Sequence, residues 1–417
     1  MMNIIAELQL LFKRRFNVKN NTKFYRLLFG HFLSRTGDAA HIIVANIVLT
    51  DITKSLNSVA FLNLIAMILT SACSPLLGVI ADRIDRRKLA IFLDLTQCLF
   101  SMVLFYNLLI WKNQGIFWII LILMSMIPVY WDLLFGIIIR VTVTDDYLLQ
   151  STSNLSLSNQ VGTLVGAWLV GIITWFSSEA YVFLFNGVTF IVSAFLLLIS
   201  KIKFSDSFPI ERLKTNFWQE LIFAINFLLK DPKLLIWIII QIVFLLFISL
   251  SNASLIILIA NLPETKILSY STLEAVYAVS AIIAAILLPI IKGRVGEWGV
   301  VFSCLIISGI SCIIFPFQSS LLGMSVLYSL IAFTISGWFI VATEVQKRTP
   351  IQMQGRVTSL IDLLILMGAV VVNFTVAVAD KNDMTVIYIF YGGLLLVSSI
   401  FFTREIKFRT LPVSKGM

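Results

Sequence analysis

The chain has 417 residues, of which 59% are hydrophobic and 13% charged, with a formal net charge of +9 and a mean hydropathy of +0.97. A soluble domain carries about 25% charged residues, so this composition excludes an aqueous fold that could cover its apolar side chains. The net charge favours basic cytoplasmic loops over a nucleic-acid partner, because lysine and arginine collect on the cytoplasmic side of membrane proteins.

Apolar stretches long enough to cross a bilayer core of about 30 Å recur about twelve times along the chain. Strand-period alternation is absent, which disfavours a β-barrel. The fold class is therefore an all-α polytopic membrane protein with about twelve transmembrane helices in two six-helix halves. The predicted spans are 25–49, 58–81, 88–111, 116–140, 147–175, 180–200, 233–260, 272–291, 298–316, 320–343, 356–379 and 385–403.

The lysines and arginines fix the predicted orientation. With the N terminus inside, nearly all of them fall in inner segments, so both termini are expected to be cytoplasmic. The basic residues in external loops are Lys54, Lys112, Lys266 and Lys381. The predicted organisation is a cytoplasmic N-terminal arm (1–23), a six-helix bundle (24–200), a cytoplasmic central linker with an amphipathic helix (201–232), a second six-helix bundle (233–403) and a cytoplasmic tail (404–417).

Two of these segments have further features. The arm 1–23 lacks the pattern of a cleavable signal and is read either as amphipathic and membrane-surface or as a plain solvated tail. In the linker 201–232, apolar residues recur at helical spacing before Asp231 and Pro232, which predicts a short helix on the inner membrane face that ends there.

Three ionisable residues of the first span are spaced i, i+3 and i+6: Arg35, Asp38 and His41. Arg35 and Asp38 share a helix face, with His41 nearby. Intramembrane ionisable residues are costly and mark function. A carboxylate that alternates between pairing with Arg35 and standing apart from it could carry a proton. The alternative is a structural ion pair near the cytoplasmic end of the helix.

Between the second and third spans the sequence reads GVIADRIDRRKLAIF, and six of the seven residues from Asp82 to Lys88 are charged. Such a short segment between two apolar spans predicts a tight cytoplasmic hairpin. Its arginines would hold the orientation of the chain.

In the fourth span, Tyr130 and Trp131 could offer a stacking surface to an aromatic or cationic substrate. The neighbouring Asp132 either takes part in that site or pairs with Arg86 or Arg87 of the hairpin. In the latter case it would belong to a cytoplasmic latch.

The remaining polar and small residues of the spans are open to two readings. Asp94 and Asp362 are helix-end anchors or cavity residues, and Glu344 is interfacial. The neutral residues form interhelical hydrogen bonds or line the cavity; they are Asn159, Gln160, Gln241, Asn252 and Asn373. The glycines of the fifth span are expected to permit close helix packing; they are Gly162, Gly166 and Gly171.

An internal repeat relates the two halves. Segment 144–162, which leads into the fifth span, is similar in pattern to segment 349–368, which leads into the eleventh. Two similar halves are typical of parallel-repeat transporters, which hold substrate between them near the bilayer midplane.

The hairpin resembles a motif of the major facilitator superfamily of transporters, Gly-x-x-x-Asp-Arg/Lys-x-Gly-Arg-Arg/Lys, with Asp85 at the place of the second glycine. The form ADRIDRR is similar to the drug:proton antiporter branch that includes macrolide-efflux and siderophore-exporting permeases. Three other stretches resemble the same branch: SRTGDAAH (34–41), FLFNGVTFIVSAFLLL (183–198) and QGRVTSLIDLL (354–364). The fifth span, GTLVGAWLVG (162–171), departs from the antiporter pattern because it lacks the proline and one glycine.

The resemblance implies a cytoplasmic gate. Asp82 would meet the N-terminal end of the eleventh helix, and Arg86 or Arg87 would reach Asp132, latching the halves when the cytoplasmic side is closed. The gate motif so implied comprises Gly78, Asp82, Arg83, Arg86, Arg87, Asp132, Gly355 and Arg356.

The resulting prediction is a secondary transporter that exports a hydrophobic or amphipathic drug or natural product by alternating access, driven by protons. An alternative keeps the fold and moves a siderophore or a lysophospholipid. A membrane enzyme is disfavoured because the chain has two histidines and no GxxxxGK[ST] sequence, and a non-transporting receptor would need larger external loops. We expect no cofactor and no metal, since Cys73, Cys98, Cys304 and Cys312 lack ligand spacing.

The expected partners are a small-molecule substrate, protons and membrane lipids, with no nucleic acid, and the chain is expected to act as a monomer. The expected location is the bacterial plasma membrane.

Overall fold

The computed structural model describes residues 22–83, 85–142, 145–200, 225–260, 262–380 and 383–409, and the side chains of most of them. Within these ranges the regular structure is helical throughout. The helices are α1 (Thr22–Thr53), α2 (Ser58–Arg83), α3 (Arg86–Tyr106), α4 (Gln114–Thr142), α5 (Asp145–Phe176), α6 (Ala180–Ile199), α7 (Pro232–Ile259), α8 (Lys266–Ile314), α9 (Leu321–Ile335), α10 (Trp338–Arg348), α11 (Ile351–Val378) and α12 (Asp383–Arg409). A π-helical turn (Asn107–Trp111) extends α3, and a 3-10 turn (Phe315–Phe317) follows α8.

The all-α polytopic fold class is confirmed. Among the described residues, eight helical stretches are long and apolar enough to cross a membrane, and α1 meets the same test only together with residues Ser58–Ser71, from which it is bent by 116°. Helix α1 fails alone because it carries several ionisable residues, including Arg35 and Asp38.

Helix α8 covers two predicted spans. A straight helix of 49 residues would be about 74 Å long, far more than a bilayer core needs. The chain changes direction at Gly296, whose φ of 80° suits glycine because it lacks a Cβ. Conversely, the tenth predicted span is built from two helices, α9 and α10, separated at Ser336–Gly337.

Side-chain caps set several helix starts. The carboxylate of Asp85 accepts from the backbone N–H of Arg87 at 2.9 Å and begins α3, and that of Asp231 accepts from Lys233 and Leu234 at 3.0 and 3.1 Å and begins α7. Short polar side chains at this position satisfy N–H groups that the helix leaves unpaired. Residues 225–230 before Asp231 are helical, while the rest of the predicted linker lies outside the described residues.

The chain divides into two compact units. One comprises the described residues of Met1–Ile52 and Ile65–Phe208, and the other those of Thr53–Leu64 and Pro209–Met417. In the first unit α3 packs along α6, and in the second α8 packs against α9 and α12. Asn57 belongs to the second unit, where its amide donates to the carbonyls of Ala377 at 3.1 Å and Ala379 at 2.8 Å.

Candidate functional site

A narrow cleft, with room for about one water molecule, opens inside the first unit, where helices α1, α3, α4 and α6 converge. Polar and charged side chains share its lining with apolar ones. The lining residues are Ser34, Arg35, Asp38, Asp94, Gln97, Ile127, Pro128, Trp131 and Phe190. The cleft therefore brings together two carboxylates and one guanidinium in the membrane-spanning part of the unit.

Helix α1 is held close to α5, which fixes the position of Arg35. A methyl group added to Gly162 would lie 3.0 Å from Cβ of Arg35, and one added to Gly166 would overlap the carbonyl oxygen of Thr36. The two glycines thus let the helix backbones approach each other. At Gly171 nothing lies within 4 Å, so the close packing ends before this residue.

Asp94 is the most enclosed charged group of the cleft. It projects from α3 and is buried, with Ser193, Trp131 and Asp38 as polar neighbours. Neither carboxylate oxygen has a hydrogen bond of normal geometry from the described residues. Buried polar groups usually have such partners. Asp94 departs from this rule and is therefore a candidate functional residue.

Gln97 lies one turn further along α3 and is also buried. Its amide nitrogen donates to the carbonyl of Met124 at 3.2 Å, while its side-chain oxygen has no hydrogen-bond partner among the described residues. An acceptor oxygen is therefore left facing the polar part of the cleft. Sequence reasoning did not select Gln97, because glutamine in an apolar helix has no signal of its own beyond its polarity.

Arg35 and Asp38 both line the cleft and are partly exposed, whereas His41 is not among the lining residues. His41 is buried, and its ring meets that of Phe183 edge-on with centroids 5.1 Å apart. The structure therefore brings together two of the three predicted coupling residues, Arg35 and Asp38, and adds Asp94 to them.

The other histidine, His31, lies beside the cleft. Its Nδ1 is 3.4 Å from the hydroxyl of Ser158, and its ring lies 5.4 Å from that of Trp131. Trp131 is thus packed between His31 and the cleft. Trp131 was predicted from sequence as a substrate-cavity residue; the side chains of its neighbours Tyr130 and Asp132 lie outside the described part.

The other predicted cavity residues lie elsewhere. Asn159 and Gln160 are on α5 and are partly exposed. Asn373, on α11, donates to the hydroxyl of Ser249 at 3.0 Å and to the carbonyl of Ala369 at 2.8 Å, an interhelical role. Gln241 is partly exposed on α7, and Asn252 and Asp362 are exposed. None of these six lines the cleft of the first unit.

Comparison with known proteins places this architecture in a family. The sequence model of the Major Facilitator Superfamily matches residues 27–373, which span the cleft and most of both units. The chain belongs to this superfamily. No curated protein sequence gives a significant match.

Solved structures of several transporters share the fold of this chain at low sequence identity. A bacterial homologue of the iron transporter ferroportin, in the inward-facing state, is 18% identical with a TM-score of 0.66, covering 92% of this chain and 98% of that chain. The nucleoside transporter NupG is 13% identical with a TM-score of 0.66 (93% and 99%), and the POT family transporter PepTSo is 11% identical with a TM-score of 0.70 (94% and 99%). These likenesses establish the fold alone.

The superfamily hairpin is only partly described. The side chains of Gly78, Asp82, Arg83, Arg86, Asp132, Gly355 and Arg356 lie outside the described residues, so the predicted gate contacts stay predictions. Arg87 is described. Its guanidinium donates to the carbonyls of Leu197, at 3.0 Å, and Leu198, at the C-terminal end of α6. A cation is stabilised there by unpaired carbonyls and the helix dipole.

The second half of the superfamily fold contains an ion pair that the sequence did not reveal. Glu344 of α10 is buried, and its carboxylate lies 3.1 Å from Nζ of Lys292 and 2.9 Å from Nζ of Lys347. Lys292 lies between the eighth and ninth predicted spans, as the charged hairpin lies between the second and third. The sequence signal that could have revealed this pair is an acid in the tenth predicted span together with a basic residue shortly before the ninth.

Proposed function

We propose that this superfamily member is a proton-coupled exporter of a hydrophobic or amphipathic small molecule, of the drug:proton antiporter type, that works by alternating access. The proposal rests on the cleft formed by Arg35, Asp38 and Asp94. The hairpin and the three other stretches that resemble the antiporter branch support the same conclusion.

The charges of the cleft account for proton binding. With both carboxylates ionised, Arg35 neutralises one of them and leaves one uncompensated charge among apolar side chains. Such a charge is costly in the membrane interior. Binding one proton to the carboxylate pair removes the excess charge, and carboxylates that interact share the proton as a pair.

The apolar side of the cleft suits the proposed cargo. Ile127, Pro128, Trp131 and Phe190 line the cleft together with the carboxylates. Pro128 lies inside α4, where its missing N–H leaves a carbonyl of the helix without its usual donor. In the proposed mechanism the cleft widens during alternating access, and a lining of both apolar and acidic side chains then suits a molecule that is itself amphipathic.

The test is transport of ethidium and of the macrolide erythromycin by the purified full chain in proteoliposomes. Vesicles with an acidic lumen are expected to accumulate the probe, while exchange between equal probe concentrations needs no pH gradient. We expect Asp94→Asn and Asp38→Asn to abolish accumulation and to retain exchange.

The matched control is Asp51→Asn, the same chemical change at an exposed position of the same helix as Asp38. It should accumulate the probe like the unmodified protein. Accumulation at the unmodified level in both cleft variants would refute coupling through this cleft.

A further inference from the structure

The second unit contains a carboxylate that the proposed coupling mechanism does not use. Glu274 lies on α8, and its side chain is partly exposed. Tyr270 precedes it by four residues and Tyr277 follows it by three, so all three lie on one face of the helix. Tyr328 of α9 lies close enough to both Glu274 and Tyr277 to interact with them electrostatically.

No cation of the described residues balances this charge. The carboxylate of Glu274 accepts no hydrogen bond from another described residue, and no lysine or arginine among them lies beside it. An acid placed in this way among apolar helices is costly unless something neutralises it. When its carboxyl is ionised, Glu274 is therefore a partly exposed negative site that either a proton or a cation from outside the described residues can neutralise.

The wall next to Glu274 is aromatic and rigid. The rings of Tyr277 and Tyr328 have centroids 5.5 Å apart, and Tyr328 stacks on Phe315 at 5.5 Å with an interplanar angle of 21°. Phe315 in turn meets Tyr388 at 5.8 Å, and the hydroxyl of Tyr388 is 2.9 Å from that of Ser254. Tyr328 is buried among these rings, whereas Tyr277 is partly exposed, so the accessible ring beside Glu274 is that of Tyr277.

We propose that Glu274 and the partly exposed ring of Tyr277, packed on the buried Tyr328, bind the positively charged end of an organic cation, an amine or a quaternary ammonium group. Electron-rich ring faces attract such cations, and a carboxylate adds charge. A hard metal ion fits less well, because calcium takes six to eight oxygen ligands and magnesium demands an octahedron of them. The binding site itself does not depend on the proposed export function. Only the statement that the bound cation is the exported cargo rests on it.

The test is equilibrium binding of radiolabelled tetraphenylphosphonium to the purified full chain in detergent, at one neutral pH and without a gradient. Glu274→Gln removes the charge and should weaken binding about tenfold or more. Tyr277→Leu removes the accessible ring and should weaken binding several-fold, whereas Tyr277→Phe keeps the ring face and should bind normally. The matched control is Glu297→Gln, the same change on α8 just beyond the bend at Gly296, which should leave binding unchanged.

Competition identifies the recognised feature. Phenyltrimethylammonium should displace the probe, and its neutral isostere tert-butylbenzene should not. Unchanged affinity in Glu274→Gln, or equal displacement by both competitors, would overturn the proposal. The proposal would also be overturned if Glu274→Gln bound the cation with unchanged affinity but no longer released a proton when the cation binds. Glu274 would then be a proton site.

One further variant and the absence of a gradient keep the outcome interpretable. Glu274→Asp retains the charge and should recover most of the affinity, which separates loss of the carboxylate from misfolding. Because binding is measured without a gradient, it can succeed even if the cleft variants Asp38→Asn and Asp94→Asn show that transport is not proton-coupled. Failure of this site and failure of the proposed function therefore give different results.

Discussion

Asp38 and Asp94 lie in one cleft but in different surroundings. Asp94 is buried on α3 among Ser193 and Trp131, whereas Asp38 is partly exposed on α1, one turn from Arg35. In the proposed mechanism, Asp38 would exchange protons with water and Asp94 would hold a proton away from it. The different surroundings would then let the two acids act in sequence even though they are of the same residue type.

Glu179 offers a residue-scale prediction on pH. It lies between α5 and α6, outside the spans, where burial, together with the charge of Asp51, raises the pKa of its carboxyl. An acid with a raised pKa in the folded state binds more protons folded than unfolded, so its ionisation removes stability as pH rises from its ordinary pKa through the raised one.

Glu179→Gln is therefore expected to raise the apparent Tm of the purified protein at neutral pH. The difference should vanish at a pH below the ordinary pKa of glutamate, where both forms are neutral. Thermal unfolding across a pH series measures it. An unmodified protein as stable as the variant at neutral pH would show that Glu179 has no such effect.

Helix α1 is packed between two neighbours at backbone distance. Gly162 and Gly166 of α5 lie against it on one side, and a methyl group added to Gly37 would overlap Asn186 and Thr189 of α6 on the other. This packing holds Arg35 and Asp38 at a fixed place in the cleft. The small residues of α1 and α5 therefore contribute to the site without touching its contents.

The prediction at this scale compares two glycines of α5. Gly166→Ala places a methyl group 2.8 Å from Cβ of Ala39 and should cost about 1–3 kcal/mol through overpacking. Gly171→Ala meets nothing within 4 Å and should be neutral. Apparent Tm values of the two variants in one detergent provide the measurement, and equal values would contradict the close contact of α1 with α5.

Glu344 of α10 gives a second comparison. Its side chain is 7% exposed and that of Lys292 is 24% exposed, whereas that of Lys347 is 60% exposed. Removing the buried acid leaves a partly buried lysine unpaired, which costs several kcal/mol in the worst case, while an exposed partner contributes about 0–1 kcal/mol. Glu344→Gln should thus lower the apparent Tm more than Lys347→Gln, and the reverse order would argue against the buried pair.

The sequence predicted elements better than it predicted contacts. Hydropathy and length predict spans because the bilayer imposes both, and the basic residues of the loops added an expected orientation. Gly296 was read as part of a loop, but a single residue with positive φ lets α8 turn without one. The face of α3 that carries Asp94 could not be assigned, because it depends on how α3 packs along α6. Glu274 was missed although the rule on intramembrane acids applies to it.

At the scale of the whole molecule, the superfamily fold and the internal repeat suggest a transporter with two halves that alternate. In the second half, the ion pair of Lys292 and Glu344 joins the segment after the eighth predicted span to the tenth, as the predicted pair of Arg86 or Arg87 with Asp132 would join the segment after the second span to the fourth. We therefore expect the first-half residues to form a charged contact of the same kind.

The gate hypothesis makes its own prediction. If Asp82 latches the cytoplasmic side, Asp82→Asn should slow ethidium transport by a larger factor than it weakens ethidium binding, because the latch stabilises one conformation without contacting cargo. Transport rates in proteoliposomes and binding in detergent, both with the same protein, give the two factors. Equal losses would be inconsistent with a latch.

Coupled proton and cargo movement is tested most directly by recording both fluxes in the same vesicles. Proteoliposomes that contain the full chain and the pH dye pyranine start without a pH gradient, and an ethidium gradient is then imposed across the membrane. The proposed mechanism predicts proton movement opposite to ethidium, lost in Asp94→Asn and intact in Asp51→Asn. Ethidium transport by the unmodified protein without any proton movement would contradict it.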